Sequence, residues 1–413
     1  MDGRSSRHHR PMGTLLLIVA LLLALASAVW LVGLLIAPHG MTRLEATAVF
    51  LAAASVGLAL VWVGNRLRHR RRRVLRTLLN GYRNTALLYV AAKLGLADLL
   101  ANGPRSSAEL ARSLGAHAPS LHRILRGLVT LGVCSEEHDG RFGLTPLGTL
   151  LQAEKPGSPR GLAILCGEEY AGAYGGLLHS AMTGQTAFNH VFGMSQWEHR
   201  EQHPELDEYF NAGLRQGTAR GTGAILAAYD FSSFRTVADV GGGHGALLAA
   251  ILKAHPSVTG ILFDQPHVVA GARPYLEAAG VAARCQVVGG SFFDRMPDGA
   301  DAHILKSVIH DWDDEQGLAI LRNCHRALKE QGTLLVVERL MPARVEDDPA
   351  AILADLHMLA LTGGRERSEA EYRALLAAAG FTLTRVIPTR SRVSIIEGVR
   401  AEAAERRHDG SIG

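Results

Sequence analysis

Cysteine is scarce in this sequence: Cys134, Cys166, Cys285 and Cys324 are the only four in 413 residues. They lie far apart and form no C-x-x-C pair and no Cys/His metal spacing. A disulfide framework and a thiolate metal site are therefore not indicated, and free thiols in a reducing compartment are expected. Charge of one sign is also in short supply. The net charge is +4, with 20% of residues charged. The basic excess is local, crowded into residues 66–76, and the remainder is balanced, so no nucleic-acid surface is expected. No cluster suggests a bound metal. Asp311, Asp313 and Asp314 are close together, but they flank a histidine and a tryptophan at a helix start, where capping and the helix dipole account for them. Apolar residues make up 47%, enough for a sizeable core. The length exceeds one compact domain, so two or three units are expected.

Two long apolar runs are present near the start. Residues 14–37 read TLLLIVALLLALASAVWLVGLLIA without a charge, and residues 46–64 read ATAVFLAAASVGLALVWVG. Each is about the 20 residues that a helix needs to cross a bilayer core. Arg4, Arg7 and Arg10 precede the first run, and Arg66, Arg68, Arg70 to Arg73 and Arg76 follow the second. The positive-inside rule then predicts a hairpin of two transmembrane helices with both termini cytoplasmic, in a multi-pass cell-membrane protein. The arginine run reads as a topology signal and a contact for anionic headgroups of the lipid bilayer. Ala26-Ser27-Ala28 resembles a signal-peptidase site, but a second run follows it.

From residue 76 the pattern becomes amphipathic. Ser106-Ser107-Ala108-Glu109 fits a helix cap, Ala118-Pro119-Ser120 opens another helix, and two short strands flank a turn at Asp139-Gly140. Helices followed by a hairpin make a winged-helix arrangement. Its candidate recognition helix, 120–131, carries Arg123 and Arg126 but is otherwise rich in leucine, which favours dimerisation over DNA contact. Residues 156–230 read as a helical linker that lines the substrate region. Residues 231–400 read as a catalytic α/β domain, and 401–413 as a disordered tail.

Within the α/β domain, residues 236–240 form a short apolar strand. Gly241, Gly242, Gly243 and Gly245 make a tight turn, and 246–254 a helix. Glycine is required where backbone approaches a ligand closely or takes positive φ. The next strand, 260–263, ends in Asp264, placed to accept both hydroxyls of a ribose. The run GGGHGA also fits a dinucleotide fingerprint, so a nicotinamide-dependent oxidoreductase stays open here. Asp239, just before the turn, favours a methyltransferase, because an acid there can face a methionyl ammonium. Further on, 302–305 is a buried strand, 307–312 the turn leaving it, 314–328 a helix and 334–337 a strand ended by Glu338. His310 therefore leaves the carboxyl end of a parallel strand, where open α/β sheets bind ligands.

Together DVGGGHG, IHDWDDEQ and GGRERS resemble the plant-type S-adenosylmethionine-dependent O-methyltransferases, which include caffeic acid and hydroxyindole O-methyltransferases and bacterial polyketide-tailoring enzymes. The resemblance covers about residues 78–400 and not the apolar runs. It implies a Rossmann-like class I methyltransferase sheet preceded by a winged-helix dimerisation domain; the two transmembrane helices (1–75) expected from the apolar runs stand in front of it. It implies a homodimer, the cofactor S-adenosyl-L-methionine, and a small hydroxylated aromatic, polyketide or quinone-like acceptor. By the same resemblance His310 is the general base, and Glu338 and Glu366 orient it. Gly241 and Gly243 belong to the cofactor loop and Asp264 takes the ribose. Lys306 and Trp312 contact the cofactor, Phe292 lies beside the adenine, and Asp355 and Met358 line the acceptor pocket. Ser291 stands where the family carries Asp, and is expected to accept a hydrogen bond from the adenine amine. Thr362 stands where plant enzymes carry an amide, so acceptor identity does not carry over. Some relatives keep the cofactor but run other chemistry.

The expected chemistry follows from acidity. A phenol has a pKa of about 10 and a histidine about 6.5. A neutral imidazole is expected to take the proton as the methyl transfers, while a carboxylate on its far nitrogen fixes the tautomer.

Overall fold

The structure, a computed structural model, describes residues 42–401 together with Ser27. The first apolar run, 14–37, lies outside the described residues apart from Ser27, as does the expected tail beyond 401. The chain divides after Gly81 into two units.

In the first unit Thr42 caps a single helix, α1 (Arg43–Leu79). Its hydroxyl accepts from the Glu45 N–H at 3.4 Å, and Glu45 Oε2 accepts from the Thr42 N–H at 2.8 Å. The second apolar run and the arginine segment belong to one element. The run continues without a break into the arginine segment as one 37-residue helix, and the Arg66 guanidinium lies over the Trp62 ring at 4.6 Å. Among the described residues no helix is long and apolar enough to cross a membrane. The expected multi-pass cell-membrane location is corrected accordingly, and the span expected at 46–64 and the bilayer contact find no support in the described residues.

The second unit opens with all but the first residue of α2 (Gly81–Lys93), then α3 (Ser107–Leu114) and α4 (Ala118–Thr130). A hairpin of β1 (Cys134–Glu136) and β2 (Phe142–Leu144) follows, with Cys134 opposite Leu144. The cap read at Ser106 is present as a reciprocal pair: Glu109 N–H donates to Ser106 Oγ at 3.2 Å and Ser106 N–H to Glu109 Oε2 at 2.8 Å. Helix α4 buries Leu121, Leu125 and Leu128, spaced by four and three residues as one helical face requires. Short helices then lead to α5 (Gln196–Gln202) and the long α6 (Pro204–Ala228).

Seven strands build the main sheet: β3 (Thr236–Val240), β4 (Thr259–Asp264), β5 (Cys285–Gly289), β6 (Ala302–Lys306), β7 (Thr333–Glu338), β8 (Phe381–Pro388) and β9 (Ser394–Arg400), in the order β5-β4-β3-β6-β7-β9-β8. The first five are mutually parallel and β9 runs antiparallel between β7 and β8. Central parallel strands are covered on both faces, which is why they read as unbroken apolar runs. Leu334 and Val336 of β7 enter one core with Ile320, Leu321 and Leu376, while Leu335 and Val337 enter the other with Leu248 and Ile251. Helices α7 (Ala246–Ala254), α8 (Asp314–Ala327), α9 (Pro349–Leu361) and α10 (Glu369–Ala378) complete the unit. Strand order reverses at β3, between β4 and β6, and such a switch point opens a crevice at the carboxyl ends. The glycine turn leaves β3 and the His310 turn leaves β6, so both face that crevice.

Candidate active site

The glycine turn is a cradle that side chains would fill. Gly241, Gly243 and Gly245 have φ of +71°, +59° and +82°. A Cβ on Gly241 would lie 2.7 Å from Val308 Cγ2, and one on Gly242 2.8 Å from the Asp239 carboxylate. Asp264 at the end of β4 accepts the Gly243 N–H through Oδ2 and the Gln265 N–H through Oδ1, both at 2.7 Å. Asp239 is buried, and its Oδ2 has no partner among the described residues. Burial pushes its pKa up to about 7, Lys306 opposes this and Asp264 adds to it. Burial likewise lowers the pKa of Lys306, against the pull of Glu338 and Asp239.

Two adjoining cavities meet at this turn. The smaller, about 60 Å³, is lined by Asp239, Gly241 to Gly243, Lys306 and Ser307, and the larger, about 330 Å³, by Gly241, Gly243, Asp264, Phe292, His310 and Trp312. The residues fit S-adenosylmethionine. An orphaned buried carboxylate meets the need of an ammonium, and an acid ending β4 meets that of ribose hydroxyls. Phe292 and Trp312 pack edge-to-face with centroids 5.7 Å apart. Ser291 lies in the turn that follows β5. Its Oγ accepts the Phe293 N–H at 3.2 Å within its own turn, and it is not in the cavity lining.

Across the crevice three acids surround one imidazole. His310 Nδ1 lies 3.1 Å from Glu366 Oε1 and 3.5 Å from Glu338 Oε2, while Nε2 is 3.9 Å from Asp311 Oδ1. Ser307, with φ of +55°, is the one non-glycine residue in the left-handed region among those described. It turns the chain so that the N–H groups of Val308, Ile309 and His310 donate to Glu338 Oε1 at 2.9, 3.0 and 3.4 Å. Burial pulls the His310 pKa down, but the charges of Glu338, Asp311 and Glu366 outweigh it and push the pKa up to about 10. Burial, with Glu366 and Asp311 nearby, pushes Glu338 up to about 7 against the opposing charge of His310. The cluster thus raises the proton affinity of the imidazole well above its ordinary value.

The GGRERS segment holds this turn from outside. A Cβ on Gly364 would fall 2.0 Å from the His310 carbonyl oxygen and 2.5 Å from Trp312 N. Arg367, 1% exposed, donates through Nη1 to Ile309 O at 3.0 Å, through Nη2 to Trp312 O at 2.9 Å and through Nε to Asp314 Oδ1 at 2.9 Å. Glu366 is buried, while Arg365 pairs with Glu371 instead. Asp313 caps α8 by accepting the Gln316 N–H.

On the acceptor side Met358 lines both the 330 Å³ cavity and a wider chamber of about 1240 Å³, which also contains His310, Glu338 and Glu366. Asp355 lines neither. Its Oδ1 accepts the Glu366 N–H at 2.9 Å, so it positions the acid beside the imidazole. Sequence reasoning missed several wall residues. Trp197, Arg200, Phe210 and Asn211 reach the cavity from α5 and α6. Arg200 is held by buried Glu169 at 2.9 Å and lies 3.5 Å over the Phe210 ring. Asn211 borders both cofactor cavities and donates to Asp207 at 2.9 Å. The aromatic side chains of Trp197 and Phe210, within a stretch read as lining the substrate region, are the sequence signal for this wall.

Residues 176–382 match the O-methyltransferase domain family, and residues 77–154 the O-methyltransferase dimerisation domain family. A phenazine O-methyltransferase of Lysobacter antibioticus is 47% identical over 324 residues, covering 78% of this chain and 95% of that protein. The solved structure of a mitomycin 7-O-methyltransferase superposes with a TM-score of 0.77 at 37% identity, covering 82% of this chain and 100% of its own. An O-methyltransferase from neocarzinostatin biosynthesis, solved with S-adenosylmethionine and 2-hydroxy-5-methyl naphthoic acid, gives a TM-score of 0.70 at 37% identity. It covers 77% of this chain and 96% of its own.

Proposed function

The chain belongs to the O-methyltransferase family, and on that premise we propose that it methylates a hydroxyl of a small planar aromatic acceptor, with His310 receiving the hydroxyl proton. It is an S-adenosylmethionine-dependent enzyme, and the nicotinamide alternative has no place in this family. The observation that carries the proposal is the 3.1 Å approach of His310 Nδ1 to Glu366 Oε1. With Nδ1 engaged, Nε2 is the nitrogen left for the acceptor.

Bound S-adenosylmethionine supplies a methyl group on a cationic sulfur. The chain's own residues do the rest. Asp239 and Asp264 hold the cofactor's ammonium and ribose, and the glycine turn admits its backbone-close edge. Phe292 and Trp312 form an aromatic wall for the adenosine, and Lys306 balances the charge of Asp239. The acceptor oxygen forms its bond to the methyl carbon as the carbon–sulfur bond breaks, and its proton goes to Nε2 of His310. An ordinary imidazole is about 3.5 pKa units too weak to hold a phenol's proton. The acids around His310 close that gap by raising its affinity to about that of a phenolate. Phenol beside imidazole and phenolate beside imidazolium hold the same number of protons, so with matched affinities the proton passes between them without exchange with solvent. Met358 and His357 bound the acceptor's end of the cavity. Residues 77–154 support a homodimer.

The test is transfer of a labelled methyl group from S-adenosylmethionine to a panel of hydroxylated aromatics, read by mass spectrometry. Label on a ring oxygen is expected. A protein that binds S-adenosylhomocysteine but labels no hydroxyl in the panel overturns the proposal, and label found only on nitrogen redirects it to N-methylation.

A further inference from the structure

The 1240 Å³ chamber beside His310 has a polarity that the methyl-transfer reading does not use. Its walls are aromatic, with Tyr82, Tyr89, Tyr170, Tyr174 and His357. Burial, aided by the charges of Arg200 and His310, pulls the His357 pKa down to about 4, so this ring brings no charge at neutral pH. The only lysine or arginine side chains in the lining are Arg339 and Arg392. The other cations near the site are engaged: Arg200 on Glu169 and Arg367 on Asp314 and two carbonyls. Among the described residues Arg339 and Arg392 have no hydrogen-bond or ion-pair partner.

The sheet places these two arginines together. Glu338, the last residue of β7, pairs with Ser394, the first of β9. Arg339 follows Glu338 directly and Arg392 precedes Ser394 by two residues, so both sit just past that pair at neighbouring strand ends, and both line the same chamber. Arg339 is half-buried and Arg392 exposed, so they occupy the solvent side of the chamber while His310 occupies its inner end. A guanidinium presents a planar fork of donors that matches a carboxylate. At the inner end the carboxylates of Glu338 and Glu366 already face His310, so a second anionic group of the ligand finds its free cations only at the other end.

We infer that the acceptor carries an anionic substituent, a carboxylate on the ring system that bears the reacting hydroxyl, and that Arg339 and Arg392 receive it. This rests on the methyltransferase reading and narrows its substrate class. The ring lies along the aromatic wall, its hydroxyl toward His310 and its carboxylate toward the arginines.

The experiment is calorimetry on the full-length chain loaded with S-adenosylhomocysteine, titrated with a hydroxynaphthoic acid and with its methyl ester. The acid should bind at least about tenfold more tightly than the ester, a difference of about 1.4 kcal/mol. In the variant Arg339→Gln/Arg392→Gln that preference should fall to within about twofold, with ester and S-adenosylhomocysteine affinities unchanged. No preference in the unaltered protein, a preference that survives in the double variant, or no binding of either ligand overturns the inference. So does a double variant that loses its dimer, since the arginines then serve the subunit contact. Failure of S-adenosylhomocysteine itself to bind removes the underlying reading, which keeps the two failures distinct.

Discussion

The Glu366 backbone N–H donates to Asp355 Oδ1 at 2.9 Å, and the Glu366 carboxylate faces His310 Nδ1 at 3.1 Å. Helix α9 therefore reaches the imidazole through Glu366 and not through a residue that touches the acceptor. Losing a hydrogen bond to a buried group costs about 1–3 kcal/mol, and a fraction of that suffices to tilt Glu366. Asp355→Ala should lower kcat about tenfold while leaving the acceptor KM and S-adenosylhomocysteine affinity near their original values. Asp355→Asn keeps an oxygen that accepts the same N–H and should recover most of the rate. A large rise in acceptor KM in either variant would return Asp355 to the acceptor pocket.

His310→Ala should cut methyl transfer by about 10²–10⁴-fold, the usual worth of a positioned base, with S-adenosylhomocysteine affinity within about twofold. The pH profile gives a sharper check. His310 is pushed up to about 10, so before substrates bind its ring carries a proton at neutral pH. The rate should rise with pH as that proton is lost. Glu366→Gln removes one of the charges that raise the pKa, so the rise should move to lower pH while the maximal rate falls. A profile of kcat/KM that does not move in Glu366→Gln would detach Glu366 from the base.

The parts of this site written in contiguous sequence were readable from it. The strand at Thr236–Val240, the glycine turn and the helix at Ala246–Ala254 coincide with the reading, because a strand buried on both faces and a turn needing positive φ each leave a local signature. The cluster at His310 was not readable from spacing. Glu338 and Glu366 lie 28 and 56 residues beyond it, and only the resemblance to a family placed them beside it. Arg367 escaped because nothing in its neighbours shows that its guanidinium folds back onto main-chain carbonyls. Strands β8 and β9 escaped too, although Ser394–Arg400 is largely buried. The second apolar run illustrates the opposite error. Its composition passes for a span, yet among the described residues no helix is long and apolar enough to cross a membrane.

Asp239 gives cofactor binding a pH dependence. In the cofactor-free protein its pKa is pushed up to about 7 by burial, so below that pH the carboxyl is protonated and neutral. The methionyl ammonium needs the carboxylate. S-adenosylhomocysteine affinity should therefore be fully present above about pH 7. It should fall as pH drops, approaching about tenfold per unit, as one-proton linkage requires. Asp239→Asn should bind weakly and with a flat profile, measured by calorimetry from pH 5 to 8. A flat profile in the unaltered protein would contradict the assignment.

Gly364 tests the packing of GGRERS against the catalytic turn. A methyl group there meets main-chain atoms of His310, Asp311 and Trp312 at 2.0–2.5 Å, and backbone cannot rotate aside as a flexible side chain can. Overpacking of this kind costs about 1–3 kcal/mol, a fall in Tm of several degrees for a chain of this size. Gly364→Ala should lower Tm accordingly and depress kcat further than stability alone explains, because His310 moves with the turn. The S-adenosylhomocysteine site, built on β3 and β4, should keep its affinity. Unchanged Tm and kcat would mean that the loop shifts freely and does not position His310.

The same three residues also pose the question of a metal. His310, Glu338 and Glu366 present ligand atoms within 4.8 Å of one another, the only such group among the described residues. A cation bound there would need Nδ1 of His310 unprotonated and carboxylate oxygens turned toward it. Glu338 Oε1 is instead committed to three backbone N–H groups, and Nδ1 stands at hydrogen-bonding distance from Glu366. A bound dication would also oppose the proton that the acids favour on the ring, and would remove the base on which the proposed transfer depends. Dialysis against EDTA should therefore leave turnover unchanged, and added Mg²⁺ or Zn²⁺ should not raise it. Loss of activity on dialysis, restored by one of these ions, would reassign the cluster from proton acceptor to metal ligand.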